Sequence, residues 1–596
     1  MSADTPVWVD PAKKDIAILI EESILNSLTD KQAIEDVKEL DIYQLIEKPP
    51  ESRLGDFALP CFRFAKVLRK KPFDIAMDLK AHIESASCPW VAKIEIAGAF
   101  LNIFLDQAFL ANFLIPTTLD ETYFNSEKPQ AVKDTRVMVE YSQPNTHKEF
   151  HIGHCRNVCL GQAVSLINTY NGFQVIPVNY IGDEGTHVAK CLWRVSQYEG
   201  DAPSEKYSEW YGKRYAEAHE LLTNGSEEEK KEAQKEVSKI LAAIESKQGP
   251  FYELWKKSRD ECMQDFADIY QWLGVKFDHI FYESDVSERS QEIVDEYIGK
   301  GLFTESEGAY GLSLEDDDLG FFMARKSDGT SLYITKDLAL AKTKFEDFTI
   351  DRSVYVVGSE QNFHFRQLFK VLELMGFEQA KNCHHLSYAH VTLPHGKISS
   401  RKGNAVTFSS LVKLILEKVN QHLEKYQDKW TADEIADTAH KLAVSAIKYG
   451  MLSADPQKEI VFDVEAWTSF DGNSGPYLMY SYARTCSILR ECDQRGYKVS
   501  VENLKLLTSP YESELLRYVY DFNGVVMTAG EHFKPSTIAN FLFSMCKGFN
   551  RFYANLSVVN AENSELIEAR MALISAFSCT LKKGLHLLGM HPVERM

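Results

Sequence analysis

The stretch 137–157, VMVEYSQPNTHKEFHIGHCRN, constrains the fold more than any other part of the chain. Residues 137–141 are β-branched and apolar, the pattern of a buried strand. Pro144 stops regular pairing. A polar loop follows, and His151-Ile152-Gly153-His154 opens a helix expected to run to about Tyr170. A strand–loop–helix unit aims free backbone N–H groups beyond the strand end, which is a standard way of holding phosphate. The two histidines add side-chain donors there. Gly153 has no Cβ and lets a flat base approach the backbone closely. A lone HxGH is also compatible with an ordinary polar helix start, because short motifs recur by chance.

A chain of 596 residues is too long for one core and suggests roughly three or four domains. Hydrophobic content of 44% with 26% charged residues is that of soluble globular protein. No apolar run approaches the ~18 residues of a membrane span, and the N-terminus shows neither a signal-peptide nor a transit-peptide pattern. These features lead us to expect a cytoplasmic protein. Eleven scattered cysteines lack any CxxC, and Cys155 and Cys159, one helical turn apart, have no further ligands nearby. They read as reduced thiols, with no metal site. The net charge of −20 argues against indiscriminate nucleic-acid binding. From Asp471 onward basic and acidic residues nearly balance, which leaves room for a local RNA contact.

The patterning predicts an α/β fold. It has a doubly wound, Rossmann-like parallel-sheet core with a helical insertion, an N-terminal α+β domain and a C-terminal all-α bundle. We place the first domain at 1–120, the core at 121–431 with 188–328 mostly insertion, and the bundle at 432–596. In the first domain, 94–105 reads as a hairpin about Gly98. In the core, strands are expected at 174–180, 332–335, 353–358 and 385–393, with helices from Asp337 and just after Gln361. Ligands in such sheets bind beyond the strand C-termini, where the HIGH loop, Asp337 and Gln361 all fall. The bundle helices are expected at 440–453, 475–492, 512–522, 538–556 and 564–588. The loop 396–404, GKISSRKGN, is Gly-flanked and cationic, suited to covering a polyphosphate.

HIGH after the SQPN loop resembles the signature of class I aminoacyl-tRNA synthetases, and VEYSQPNTHKEFHIGH resembles the arginyl-tRNA synthetase version in particular. The 396–404 loop is similar to the second signature of that class. It departs from the usual KMSKS by carrying Ser400 where a second Lys is common, and Lys148, just before HIGH, resembles the compensating Lys of arginyl enzymes. GDFALP with GAFLNIFL, LGVKFD with Glu283-Ser284, SGPYLMY and the ending GLHLLGMHPVERM also resemble that family. The resemblance implies a eukaryotic-type cytosolic arginyl-tRNA synthetase. Its substrates would be L-arginine, tRNA(Arg) and ATP with Mg2+. The sequence shows no long helical or coiled-coil extension for partner assembly, so a monomer is expected.

What the resemblance implies for residues follows its motifs. His151, His154, Lys148, Lys397 and Arg401 would act on the phosphates. ATP would meet His151, Gly153, His154, Lys397 and Ser399. The arginine pocket would take Glu140, Gln143, Pro144, Asn145, His154, Tyr333, Asp337 and Gln361, with Glu140 and Asp337 flanking a guanidinium that is planar and always charged. Each of these acids could instead be half of an ordinary salt bridge. Phe100 and Asn102 would touch the D-loop corner of tRNA, and Phe470, Asn473, Tyr477, Tyr480 and Arg484 the anticodon. Other readings are a class I synthetase for another amino acid, a smaller HxGH nucleotidyltransferase, and an inactive relative that binds RNA or acts as a scaffold.

Overall fold

The structure is a computed structural model and describes residues 8–200, 203–327, 333–393, 396–397 and 406–596. Asp10 caps the first helix, Pro11–Asn26, by accepting the Lys13 N–H at 2.9 Å. In the N-terminal module, β1 (Phe57–Pro60), β2 (Val91–Ala97) and β3 (Phe100–Leu105) form an antiparallel sheet in the order β1-β3-β2. β2 and β3 make the expected hairpin, with Gly98 at φ 63° supplying the left-handed turn residue. Asp56 accepts from the Leu105 N–H and pairs with Arg517 of the bundle helix Pro510–Glu531, so the two end domains touch directly.

β4 (Arg136–Glu140), β5 (Gln174–Ile181) and β6 (His279–Tyr282) begin the central sheet. β7 (Thr304–Ser306), β8 (Ala309–Ser313) and β9 (Phe321–Arg325) form a small antiparallel sheet aside from it. β10 (Arg352–Gly358) and β11 (Cys383–Tyr388) complete five parallel strands in the order β11-β10-β4-β5-β6. The order reverses at β4, which has β5 on one side and β10 on the other. The crevice beyond their C-terminal ends is where such sheets bind ligands. β6 lies within 188–328, so one strand of that stretch belongs to the core sheet.

Two expectations from sequence need correction. Tyr333 is already helical, in Tyr333–Phe348, rather than part of a strand at 332–335. Leu338, Ala339, Leu340 and Ala341 are all buried in that helix, and this packing overrides the strand-like local pattern. The single strand expected at 385–393 is two strands: β11 in the central sheet, and β12 (Val391–Leu393), which pairs with β13 (Gly396–Lys397) and β14 (Ile460–Val461).

The signature helix Ile152–Tyr170 lies between this sheet and the C-terminal helices and is buried over most of its length. Gly161 permits the approach to β4, since a Cβ there would fall 2.1 Å from the Tyr141 ring. The bundle helices Ala432–Leu452, Gly475–Gln494, Pro510–Glu531, Pro535–Asn555 and Ser564–Leu587 follow the expected pattern. Three of them start earlier than expected. Pro510 and Pro535 occupy first-turn positions, where the missing N–H costs nothing, and a capping box of Thr431 with Glu434 starts the first helix at Ala432 rather than at 440.

Candidate active site

A cavity of about 680 Å3 opens beyond β4, β5 and β10. Glu140, Gln143, Asn145, His151, Gly153, His154, Asp337 and Gln361 all line it. The sheet order thus brings residues more than two hundred positions apart in sequence to one crevice.

His151 caps the signature helix. Its Nδ1 accepts the Gly153 N–H at 3.1 Å, and the His154 Nδ1 accepts the His151 N–H at 3.2 Å. The rings stack at 3.9 Å. Burial pushes the His151 imidazole down to about 4, with Lys148 adding to the effect. Burial, His151 and Lys148 hold His154 well below the ordinary range. Both rings are therefore neutral at neutral pH. With each Nδ1 accepting, the proton sits on Nε2, leaving each ring one donor. A stacked pair of neutral N–H donors at a helix N-terminus suits phosphate oxygens.

The loop before the helix is held in a costly conformation. Ser142 and Gln143 have φ of 80° and 50°, which side-chain-bearing residues adopt at a cost of about 1–3 kcal/mol each. Asn157 and Asn179 enforce it. Asn157 Oδ1 accepts the Ser142 N–H at 2.6 Å, and Asn179 Oδ1 accepts the Gln143 N–H at 3.0 Å. Asn157 Nδ2 donates to the Val356 carbonyl at 2.8 Å, tying the loop to β10. Asn145 is pinned to the end of β5, where Gly182 is required because a Cβ would lie 2.3 Å from Asn145 Oδ1. The Gly182 N–H donates to the carbonyl of Pro144, which is buried.

The acids around the cavity differ in how they are paired. Glu140 is ion-paired with the fully buried Lys344 and accepts from Gln143 Nε2 at 2.7 Å. The Lys344 ammonium also sits 3.8 Å from the Tyr355 ring centroid. Of the two readings of Glu140 open from sequence, the salt bridge is therefore present. Asp337 contacts His364 Nε2 at 2.6 Å and faces the cavity. Glu283 faces it too, and burial pushes its carboxyl up to about 7, with Lys336 opposing and Asp337, Glu184 and Asp183 reinforcing. Tyr180, between these acids, is raised well above its usual value by burial and by their charges. Sequence reading gave Glu283, Asn157, Asn179 and Tyr180 no role. The placement of Glu283 at the end of β6 is the signal that finds it.

The second signature loop is anchored at both flanks beside the first. β13 holds Gly396 and Lys397 to β12, whose Val391 lines the cavity. Downstream, Ile152 N–H donates to Val406 at 3.0 Å and Phe408 N–H to Phe150 at 2.9 Å, about a bridge between His151 and Thr407. Ser399 and Arg401 lie outside the described residues, as do the side chains of Tyr333 and Lys397. Lys148 is half-buried, 5.4 Å from the Tyr215 ring centroid. No group of three or more His, Cys, Asp or Glu among the described residues is placed to hold a metal.

The residues expected to meet RNA lie away from the cavity, and two of them, Asn102 and Tyr477, are buried rather than on a surface. Phe100 is 39% exposed and packs edge-on to Phe62 at 5.9 Å, whereas Asn102 is buried in the middle strand of its sheet. Phe470 stacks on His422 at 3.7 Å. Asn473 accepts from the Tyr449 hydroxyl, and Tyr477 is buried and accepts from Asn550. Arg484 lies 4.5 Å from the Tyr480 ring and 5.0 Å from that of the exposed Tyr553.

A parallel sheet reversing at β4, with a HIGH helix start and a second loop anchored beside it, defines a class I aminoacyl-tRNA synthetase. Comparison with known proteins agrees. The catalytic-domain model "tRNA synthetases class I (R)" matches 118–464, the arginyl tRNA synthetase N-terminal domain 19–105, and the DALR anticodon binding domain 478–596. The arginine–tRNA ligase of Bdellovibrio bacteriovorus is 41% identical over 97% of this chain and 98% of its own length, and that of Clostridium acetobutylicum 34% identical over 93% and 96%. The Thermus thermophilus arginyl-tRNA synthetase structure superposes with a TM-score of 0.79 at 25% identity, covering 97% of this chain and 99% of that one. A Plasmodium falciparum arginyl-tRNA synthetase, 20% identical with a TM-score of 0.73 over 98% and 99%, shares the fold. The chain belongs to the arginyl-tRNA synthetase family, and its activity is arginine–tRNA ligation with ATP as a substrate. These sequence relatives are bacterial and lend no support to the eukaryotic-type form expected from sequence.

Proposed function

We propose that the cavity beyond β4 activates L-arginine as its adenylate and passes it to tRNA(Arg), with roles divided as follows. The arginine carboxylate attacks the α-phosphate of ATP in line and pyrophosphate leaves. The terminal ribose hydroxyl of the tRNA then attacks the activated carbonyl and AMP leaves. No side-chain nucleophile is needed, and the protein contributes positioning and charge stabilisation. His151 and His154 donate Nε2–H to phosphate oxygens, and Gly153 leaves room for the nucleotide. Lys148, Lys397, Ser399 and Arg401 serve the polyphosphate. Mg2+ accompanies the phosphates of ATP, and no step is assigned to it.

The observation that carries this reading is that one cavity is lined both by the acids Glu140, Glu283, Asp337 and Glu360 and by the two neutral donors His151 and His154. A buried guanidinium needs carboxylate partners. Because Glu140 is matched by the fully buried Lys344, whereas Glu283 meets Lys336 only at 3.7 Å, we assign the guanidinium to Asp337 and Glu283. Tyr333 lies one helical turn before Asp337 and so shares its face. Glu140, Gln143, Asn145 and Gln361 then take the α-amino and carboxylate end, with Pro144 shaping the loop.

We further assign residues 1–120 and 432–596 to the tRNA. Phe100 is the stacking residue of the first, and Phe470, Asn473, Tyr480 and Arg484 lie on the second, with Tyr477 behind them. The protein is read as a cytoplasmic monomer. No helix among the described residues is long and apolar enough to cross a membrane.

Pyrophosphate exchange with each of the twenty amino acids, with tRNA present, tests the assignment. Arginine alone should support exchange. Exchange with a different amino acid, or none with any, would favour another class I specificity or an inactive RNA-binding relative.

A further inference from the structure

Arg156, on the signature helix, is 1% exposed, and its four hydrogen bonds all go to backbone carbonyls. Nη1 donates to Ala389 and, at 3.1 Å, to His390. Nη2 donates to Pro456 at 3.0 Å and Lys458 at 2.8 Å. The guanidinium lies 5.9 Å from the Tyr388 ring centroid, and Asp455 supplies the nearby opposing charge. Charge-assisted bonds of this kind are among the stronger ones, and the planar fork fixes their directions.

The carbonyls it gathers belong to two segments that meet at β12. Ala389 and His390 are the residues between β11 and β12, where the chain leaves the central sheet. Pro456 and Lys458 precede β14, which pairs with β12. The same two segments are cross-tied by the Ala389 N–H to the Pro456 carbonyl at 2.9 Å and the Ile460 N–H to the His390 carbonyl at 3.1 Å. β12 in turn carries β13, whose Lys397 begins the cationic loop. At the far end, Asp455 pairs with Lys534, the residue before the bundle helix Pro535–Asn555, at 2.8 Å.

We propose that Arg156 is a positioning residue for the nucleotide: through Ala389, His390, Pro456 and Lys458 it sets where the β12–β13 hairpin, and with it Lys397, stands relative to the HIGH helix. The inference rests on the reading that Lys397 serves the polyphosphate. Arg156 lines the cavity, but its guanidinium is engaged by these four carbonyls, so it acts through them. Loss of its fork displaces β13 while Asp337, on the helix Tyr333–Phe348, and Glu283, just after β6, stay in place.

The test compares R156K, K534A and K397A in arginine-dependent pyrophosphate exchange, with KM measured separately for ATP and arginine and folding checked by thermal unfolding. R156K should raise the ATP KM about tenfold or more, as expected for losing buried charge-assisted bonds, and leave the arginine KM within about twofold. K534A, which loosens only the outer tie, should move the ATP KM in the same direction by less. An R156K enzyme with an unchanged ATP KM, or with both KM values raised alike, overturns the proposal. If R156K does not fold, K534A decides: a raised ATP KM at constant arginine KM supports it and an unchanged one overturns it. If K397A leaves the ATP KM and rate untouched, the underlying reading of Lys397 fails instead, whatever R156K does.

Discussion

Replacing Asn157 with alanine gives the sharpest test of how the catalytic loop is held. The side chain is 3% exposed, and it satisfies the Ser142 N–H at 2.6 Å and the Val356 carbonyl at 2.8 Å. Alanine leaves both groups buried and unpaired, at about 1–3 kcal/mol each. Ser142 and Gln143 also lose one of the restraints that keep them at positive φ. Asn179 and Tyr270 still hold Gln143 N–H and Ser142 Oγ, so the loop shifts rather than collapses. We expect a total of about 2–5 kcal/mol, shared between lost stability and a displaced Gln143 and Asn145. If about 2 kcal/mol falls on transition-state positioning, arginine activation slows about 30-fold. The assay is arginine-dependent pyrophosphate exchange with urea unfolding alongside it. Asn157→Asp, which keeps the acceptor, loses the donor and adds a buried charge, should do at least as badly. An alanine variant with wild-type exchange and an unchanged unfolding midpoint would refute the reasoning.

Further outcomes follow from other parts of the molecule. The Glu283 carboxyl, pushed up to about 7, is protonated in the free enzyme below that pH and then offers no counter-charge. The arginine KM should therefore be flat above pH 7 and climb toward tenfold per pH unit below it, while E283Q should show a high KM with that rise absent. Gly475→Ala would set a Cβ 2.1 Å from the Ser445 carbonyl oxygen and force the helices Gly475–Gln494 and Ala432–Leu452 apart. A loss of about 1–3 kcal/mol in denaturant unfolding is expected. Phe100→Ala should raise the tRNA KM in aminoacylation by about five-fold or more, as base stacking is worth about 1–3 kcal/mol, and leave the arginine KM unchanged.

The central sheet was legible because its strands are short apolar runs between turn signals, as in QVIPVNY and SVYVVG. The HIGH helix was legible because its first turn carries a motif with a mechanism. What stayed hidden was set by distant partners. The carbonyls at the chain break, Ala389 and His390, are met by Arg156, more than two hundred residues away, which no local pattern reveals. The ion pair between Glu140 of β4 and Lys344 of the helix Tyr333–Phe348 joins residues far apart in sequence. Asn157 and Asn179 looked like unremarkable polar residues in a helix and a strand, yet they fix the loop through bonds across fourteen or more residues. Glu283 fell in a stretch read as insertion, and only the pairing of β6 with β5 brings it to the cavity.

Diffraction from crystals soaked with L-arginine and a non-hydrolysable ATP analogue tests the central claim most directly. The account predicts guanidinium nitrogens about 3 Å from the Asp337 and Glu283 carboxylates, with nucleotide phosphates facing His151 and His154 in the same cavity. Arginine bound with its guanidinium turned away from both acids, or a nucleotide outside the crevice beyond β4, would contradict it.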